Sequence, residues 1–283
     1  MTGTRARYRI LLHTISSLLF VLSCLPVGAT LVAVVPTRDG LVIAADSRLT
    51  FLGAQCDGAF KILTPAMPAR TVAVVTGDAV FVAPPPAGTS DLCGYLKTAP
   101  RLLDVNAVVT EALERPGLDV AGIADVRAAC VEAVARLGAA YPEALHVYAG
   151  KEVFAVVVAS YDPVRAESTV RRFAVRMDTG GRVDTSDASE ARFGAQSLST
   201  VLIYGETDWA KRAVIAGQGR QFLNAATLEF LEAHRPVAEV ATDRALAVAH
   251  NVIEAASREA ESDPPPSGIG GAVQVRVMGS GIP

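Results

Sequence analysis

The chain has 283 residues, which suits one large domain, and its composition is that of a well-buried globular protein: about half of it is hydrophobic and 19% is charged. Its 26 Lys and Arg against 29 Asp and Glu give a net charge of −3, with the basic residues scattered rather than striped. That balance excludes an electrostatic case for nucleic acid. No CxxC, HExxH or clustered Cys/His/carboxylate spacing points to a metal, and His13, His146, His234 and His250 are isolated from one another.

The first 29 residues read as a signal peptide. Arg5, Arg7 and Arg9 form a basic start, and Ile10 to Leu25 form an apolar run diluted by His13, Thr14, Ser16, Ser17 and Ser23. Pro26-Val27-Gly28-Ala29 then supplies small or short residues where a signal peptidase cuts. Two alternatives stay open. One is an uncleaved membrane anchor, although the run is shorter than the ~20 apolar residues a spanning helix needs. The other is lipidation at Cys24, after the poor lipobox Val21-Leu22-Ser23, which would leave Thr30 internal. Cleavage after Ala29 leaves a periplasmic or secreted protein, free of the membrane, that starts at Thr30.

Export implies an oxidising compartment. Cys56 and Cys93 lie in loop-like sequence and can pair, whereas Cys130 falls on the apolar face of a helical pattern and reads as core. In chain order, Leu31–Val35 and Leu41–Ala45 are apolar runs joined by Thr37-Arg38-Asp39-Gly40, a hairpin pattern. Both runs are apolar at successive positions, so both faces of their sheet are expected to be covered. Further strands are expected at Thr71–Thr76, Ala79–Ala83, Val153–Ser160, Val170–Met177, Ser199–Tyr204 and Ala272–Met278. Helical patterns cover Gly122–Ala140, Asp208–Ala216, Gln221–Ala233 and Val237–Glu261, the last stopped by Pro264-Pro265-Pro266. Residues 84–118 read as an irregular insertion with a short helix near Val105–Glu114. Strands, helices, strands, helices and a final strand argue for segregated layers, an α+β fold.

Register brings the first candidate site residues together. With Thr37–Gly40 as the loop, Pro36 pairs with Leu41 and Thr30 falls opposite Asp46–Arg48. A carboxylate then sits beside the new N-terminus. The free α-amine of Thr30 has an ordinary pKa of about 7.7–8.0. It can take the proton of its own hydroxyl, a pairing that makes threonine a nucleophile.

Several segments carry a resemblance. They are Thr30-Leu-Val-Ala-Val-Val, Asp39-Gly40 through Ala-Ala-Asp46-Ser47-Arg48-Leu-Thr50, Phe60-Lys61-Ile62, Val74-Val75-Thr76-Gly77-Asp78-Ala79, and Ala241–Glu261 with Ser267-Gly268-Ile-Gly270-Gly271. Together they resemble the proteasome β-type subunits, N-terminal-nucleophile hydrolases. The likeness spans most of 30–80 and 238–280, with Lys61 one residue closer than the family pattern and the middle serine of the family without a clean counterpart near Tyr204-Gly205-Glu206.

The resemblance implies a four-layer αββα sandwich with no cofactor and no metal. It implies Thr30 as nucleophile and base, Asp46 orienting Lys61, Lys61 favouring the alkoxide, and the Gly77 N–H binding the oxyanion. Asp263 and Ser267 would complete the polar network near the amine, and Thr50 would line the substrate pocket. Ser47 and Arg48 read as supporting residues. The substrate would be a peptide or small amide, and a homo-oligomer is compatible with the family. Each residue also has an ordinary structural role open to it. Asp46 can cap a strand end or pair with Arg48, Lys61 can snorkel from an edge strand, and Gly77 can be a turn glycine. The rival function is a proteasome-like binding or assembly protein without catalysis.

Overall fold

A computed structural model describes residues 25–27, 30–66, 70–115, 123–186, 189–205, 220–262 and 268–279. Its first elements are β1 (Leu25–Val27), β2 (Leu31–Thr37), β3 (Gly40–Ala45), β4 (Leu49–Phe51), β5 (Ala54–Cys56), β6 (Ile62–Leu63), β7 (Thr71–Gly77) and β8 (Val80–Val82). Next come α1 (Leu92–Thr98), β9 (Arg101–Asp104), α2 (Val105–Leu113), α3 (Ile123–Ala140) and α4 (Pro142–Leu145). Then follow β10 (Glu152–Asp162), β11 (Glu167–Met177), β12 (Val183–Thr185), β13 (Ser189–Phe193), β14 (Leu202–Gly205), α5 (Ala225–Ala233), α6 (Thr242–Ser262) and β15 (Gln274–Gly279). The helix expected at Asp208–Ala216 and most of the expected signal peptide lie outside the described residues.

The two-residue turn at Arg38-Asp39 sets the register of β2 on β3: Thr37 pairs with Gly40, Pro36 with Leu41 and Val32 with Ala45. Every residue of both strands is buried, so their continuous apolar runs face apolar partners on both sides. The strand order there is β14-β2-β3-β15. A second sheet runs β12-β11-β10-β7-β6, with β13 added to β11. Its centre is the long β10–β11 hairpin, and β7 lies antiparallel to β10 with Gly77 opposite Phe154.

Packing follows the apolar faces. Val32, Val34 and Ile43 meet Val72, Val74 and Val157 between these two sheets. Leu31, Ala33, Val42 and Ala44 instead pack on Val248, Val252 and Ile253 of α6. Phe154, Val156, Phe173 and Val175 pack on Val109 of α2 and on Val126, Cys130 and Val134 of α3. Each fully buried Val, Leu, Ile or Phe contributes roughly 1.5–3 kcal/mol of transfer free energy. Three helix starts among the described residues are fixed by side-chain caps: Asp91 accepts from Gly94 N–H, Asp104 from Ala107 N–H and Asn224 from Thr227 N–H. No helix among the described residues is long and apolar enough to cross a membrane.

The expected four-layer αββα sandwich is corrected here. The described residues mix helices with antiparallel strands in four sheets, of three, six, four and two strands, and do not resolve into four clean layers. The reason is local. After β7 the chain leaves the large sheet, so β8 pairs with β9 on one side and with β1 on the other. The stretch expected to be an irregular insertion thereby adds β9 to this small sheet and forms the helices α1 and α2. The β4–β5 hairpin forms the two-stranded sheet, turning at Leu52 and Gly53, both at positive φ.

Candidate active site

Thr30 directly precedes β2 and is 3% exposed. Asp46 ends β3 one register step beyond Ala45, so its carboxylate reaches the start of β2. Leu31 N–H donates to Asp46 Oδ1 at 2.8 Å. The same carboxylate accepts Arg48 N–H at 3.2 Å and Gly270 N–H at 3.3 Å through Oδ2. Lys61, in the segment leading into β6, donates its ammonium to both oxygens at 3.0 Å. Asp46 is fully buried and Lys61 is 4% exposed, so this ion pair is almost dry. Burial pushes the Lys61 ammonium below its ordinary pKa, and the charge of Asp46 works against that shift.

Further contacts fix the lysine backbone. Lys61 N–H donates to Gln274 Oε1 at 3.0 Å, and the Gln274 amide donates in turn to the Ala59 carbonyl. Gln274 is 213 residues away along the chain, and no local pattern marks it for this role. Arg48, expected as a supporting residue, pairs with Asp57 rather than Asp46, with Arg48 Nε 2.8 Å from Asp57 Oδ1. This hydrogen bond raises the arginine pKa and lowers that of the aspartate. The guanidinium also donates to the Ile269 carbonyl at 3.3 Å, which ties the turn before β15 to the end of β3.

Gly77 closes β7 at φ +86, a conformation side chains disfavour. A Cβ there would lie 3.0 Å from Val153 O and Phe154 Cα, so the strand end needs glycine for space as well as for dihedral angle. Gly205 makes a close backbone approach to Thr30. A Cβ on it would lie 1.8 Å from the Thr30 carbonyl oxygen and 3.4 Å from Thr76 Cγ2. The end of β14 therefore packs against both Thr30 and Thr76 near the end of β7.

A cavity of about 610 Å3 opens beside these residues, lined by Thr30, Lys61, Val75, Ala79, Cys93 and Lys97 among others. The Cys56–Cys93 disulfide joins β5 to α1 in its wall. Leu49 rather than Thr50 lines it among the described residues, and Thr50 Oγ1 is buried with no partner among them. Asp263 and Ser267 lie outside the described residues. Thr30, Asp46 and Lys61 thus come together, Gly77 ends the strand whose Val75 lines the cavity, and Thr50 stands back. Chemically, the arrangement sets a hydroxyl and a buried ammonium on one cavity, with a carboxylate holding the ammonium.

No family model matches the chain, and no curated protein matches it. Among solved structures it is similar to the Anbu complex of Pseudomonas aeruginosa, whose structure is described as a helical assembly, at 14% identity and a TM-score of 0.43. It is also similar to Anbu, an ancestral beta-subunit, from Yersinia bercovieri, at 11% identity and the same TM-score. Both alignments cover 88% of this chain and 81% of the other. These findings correct the resemblance to the proteasome β-type N-terminal-nucleophile hydrolases. The neighbours are Anbu proteins at remote similarity, and a likeness of this size assigns no activity to this chain.

Proposed function

We propose that the chain is an exported amide-bond hydrolase whose nucleophile is the Thr30 hydroxyl, freed together with its α-amine by cleavage after Ala29. The observation that carries this reading is the Asp46 carboxylate. It binds both the backbone N–H next to Thr30 and the buried Lys61 ammonium, and Thr30 and Lys61 line the same cavity. An ion pair this dry is a costly way to hold a strand end together, and perturbed buried charges on a cavity are a common mark of a reactive site. The Cys56–Cys93 disulfide supports an oxidising destination.

The substrate is a peptide or a small amide. The α-amine takes the proton of the Thr30 hydroxyl as its oxygen attacks the amide carbon, and the Lys61 charge favours the forming alkoxide. The oxyanion accepts the Gly77 N–H, a contact type worth about 3 kcal/mol elsewhere. As the intermediate collapses, the C–N bond breaks and the leaving amine takes the proton from the Thr30 ammonium. Water then attacks the acyl-threonine ester, gives its proton to the same amine, and releases the acid and the free hydroxyl. Before cleavage the Thr30 nitrogen is a peptide nitrogen and cannot serve as this base.

The test is turnover of peptide and small-amide reporters by protein that begins at Thr30. Thr30→Ala abolishes turnover with the fold intact, Thr30→Ser retains part of it, and Lys61→Met lowers it by about 10²-fold or more. Turnover that survives Thr30→Ala refutes the assignment.

A further inference from the structure

A second cavity, of about 340 Å3, lies at the other end of the strands. It is bounded by Thr64 after β6, Arg70 and Thr71 at the start of β7, and Arg276, Val277 and Met278 of β15. Thr71 and Gly77 mark the two ends of β7, ~20 Å apart at about 3.3 Å per residue, so this cavity is separate from the one beside Thr30.

Two features of its wall bear on what it can hold. First, Arg70 and Arg276 line the same cavity, and neither has a carboxylate partner among the described residues. Two guanidiniums without a carboxylate partner among the described residues leave donors that an anion can take up. Second, Arg70 is held at φ +64, in the left-handed region that a non-glycine residue enters at a cost and that often marks a ligand clamp. The carboxylate near the rim, Glu114, is engaged by the Ala66 N–H at 3.0 Å and pairs with neither arginine.

We propose that this cavity is a binding site for a small oxyanion of the phosphate or carboxylate class, held by the guanidiniums of Arg70 and Arg276. Both anions present oxygens that match guanidinium forks, and both are small enough for the cavity. No bond to the ligand is made or broken, and the site does not depend on the chemistry proposed for Thr30.

The test is calorimetric titration of the full chain with inorganic phosphate and, separately, with succinate, alongside thermal unfolding in each anion. Saturable binding of either anion is expected, with Tm rising as its concentration rises. Whichever binds more tightly identifies the preferred oxygen geometry. Arg70→Gln and Arg276→Gln should each weaken binding by roughly tenfold or more, while Arg38→Gln leaves it unchanged. Arg70→Gly is the second variant. It removes the guanidinium but relieves the left-handed backbone, so it should unfold no earlier than the parent without anion and still lose the anion response. Saturable binding of neither anion, or undiminished binding in Arg70→Gln/Arg276→Gln, overturns the proposal.

Discussion

Replacing Asp46 by alanine should cost more stability than replacing its partner Lys61 by methionine. The carboxylate is fully buried and accepts from the Lys61 ammonium, Leu31 N–H, Arg48 N–H and Gly270 N–H. Asp46→Ala leaves a 4%-exposed ammonium without its carboxylate and three backbone donors without their acceptor. Breaking a buried pair in that sense costs about 3–5 kcal/mol. Lys61→Met leaves the carboxylate with three N–H donors and fills the space with apolar atoms, so its cost should be roughly 1.5–3 kcal/mol. The double variant Asp46→Ala/Lys61→Met removes the stranded charge, and its loss should fall short of the sum of the two by about 1–3 kcal/mol. Urea unfolding gives all four stabilities, provided the slope m stays constant. The pH dependence has a definite sign. The folded pKa of Lys61 lies below its ordinary value, so the unfolded chain binds more protons just below that value and stability rises with pH there. Without Asp46 the folded pKa falls further, and the rise should begin at lower pH. Equal costs for the two single variants, or strict additivity, would refute this account of the pair.

Removing the Cys56–Cys93 disulfide, whose ends are 37 positions apart in sequence, should cost about 4 kcal/mol by loop-closure entropy, read from urea unfolding of the double alanine variant. Cys130 is buried with its thiol pushed up to about 12, so it should resist alkylation in the native protein; prompt labelling would contradict the packing of α3. Asp78 carries a raised pKa caused by burial, against which the Tyr148 hydroxyl donates a hydrogen bond. The folded state then binds more protons than the unfolded one above the ordinary carboxylate value, so this residue lowers stability as pH rises through that window. Asp78→Asn should raise Tm at neutral pH, with the gain vanishing under acidic conditions. A gain that grows on acidification would reverse the sign and the explanation with it.

The parts of the site that the sequence made legible are those set by short-range geometry. Two turn residues between β2 and β3 leave one register, and that register puts Asp46 beside the start of β2. Lys61 stood out as one of four lysines, between Phe60 and Ile62. The pairing open to Cys56 and Cys93 is the one formed. What was not legible depended on distant partners or weak patterns. Gln274 reaches Lys61 only because β15 docks along β3, and Arg48 turns to Asp57 because the β4–β5 hairpin folds back over it. Strands β12 and β13 are short, polar and half-exposed, so they carry no alternation to read. Helix α1 follows three prolines and contains Gly94, and its Asp91 cap was hidden in what looked like loop. The order of apolar runs could not tell two sheets from four, because β8 and β9 leave the large sheet without a change in composition.

The central claim is that the α-amine of Thr30 is the base for its own hydroxyl. The most direct measurement compares turnover of one reporter by protein beginning at Thr30 with turnover by protein carrying one extra residue before it. The extension acylates the amine and leaves the hydroxyl, Lys61 and Asp46 in place. The account predicts that the extended protein is as inactive as Thr30→Ala while unfolding at the same temperature as the parent. Full activity in the extended protein would contradict it.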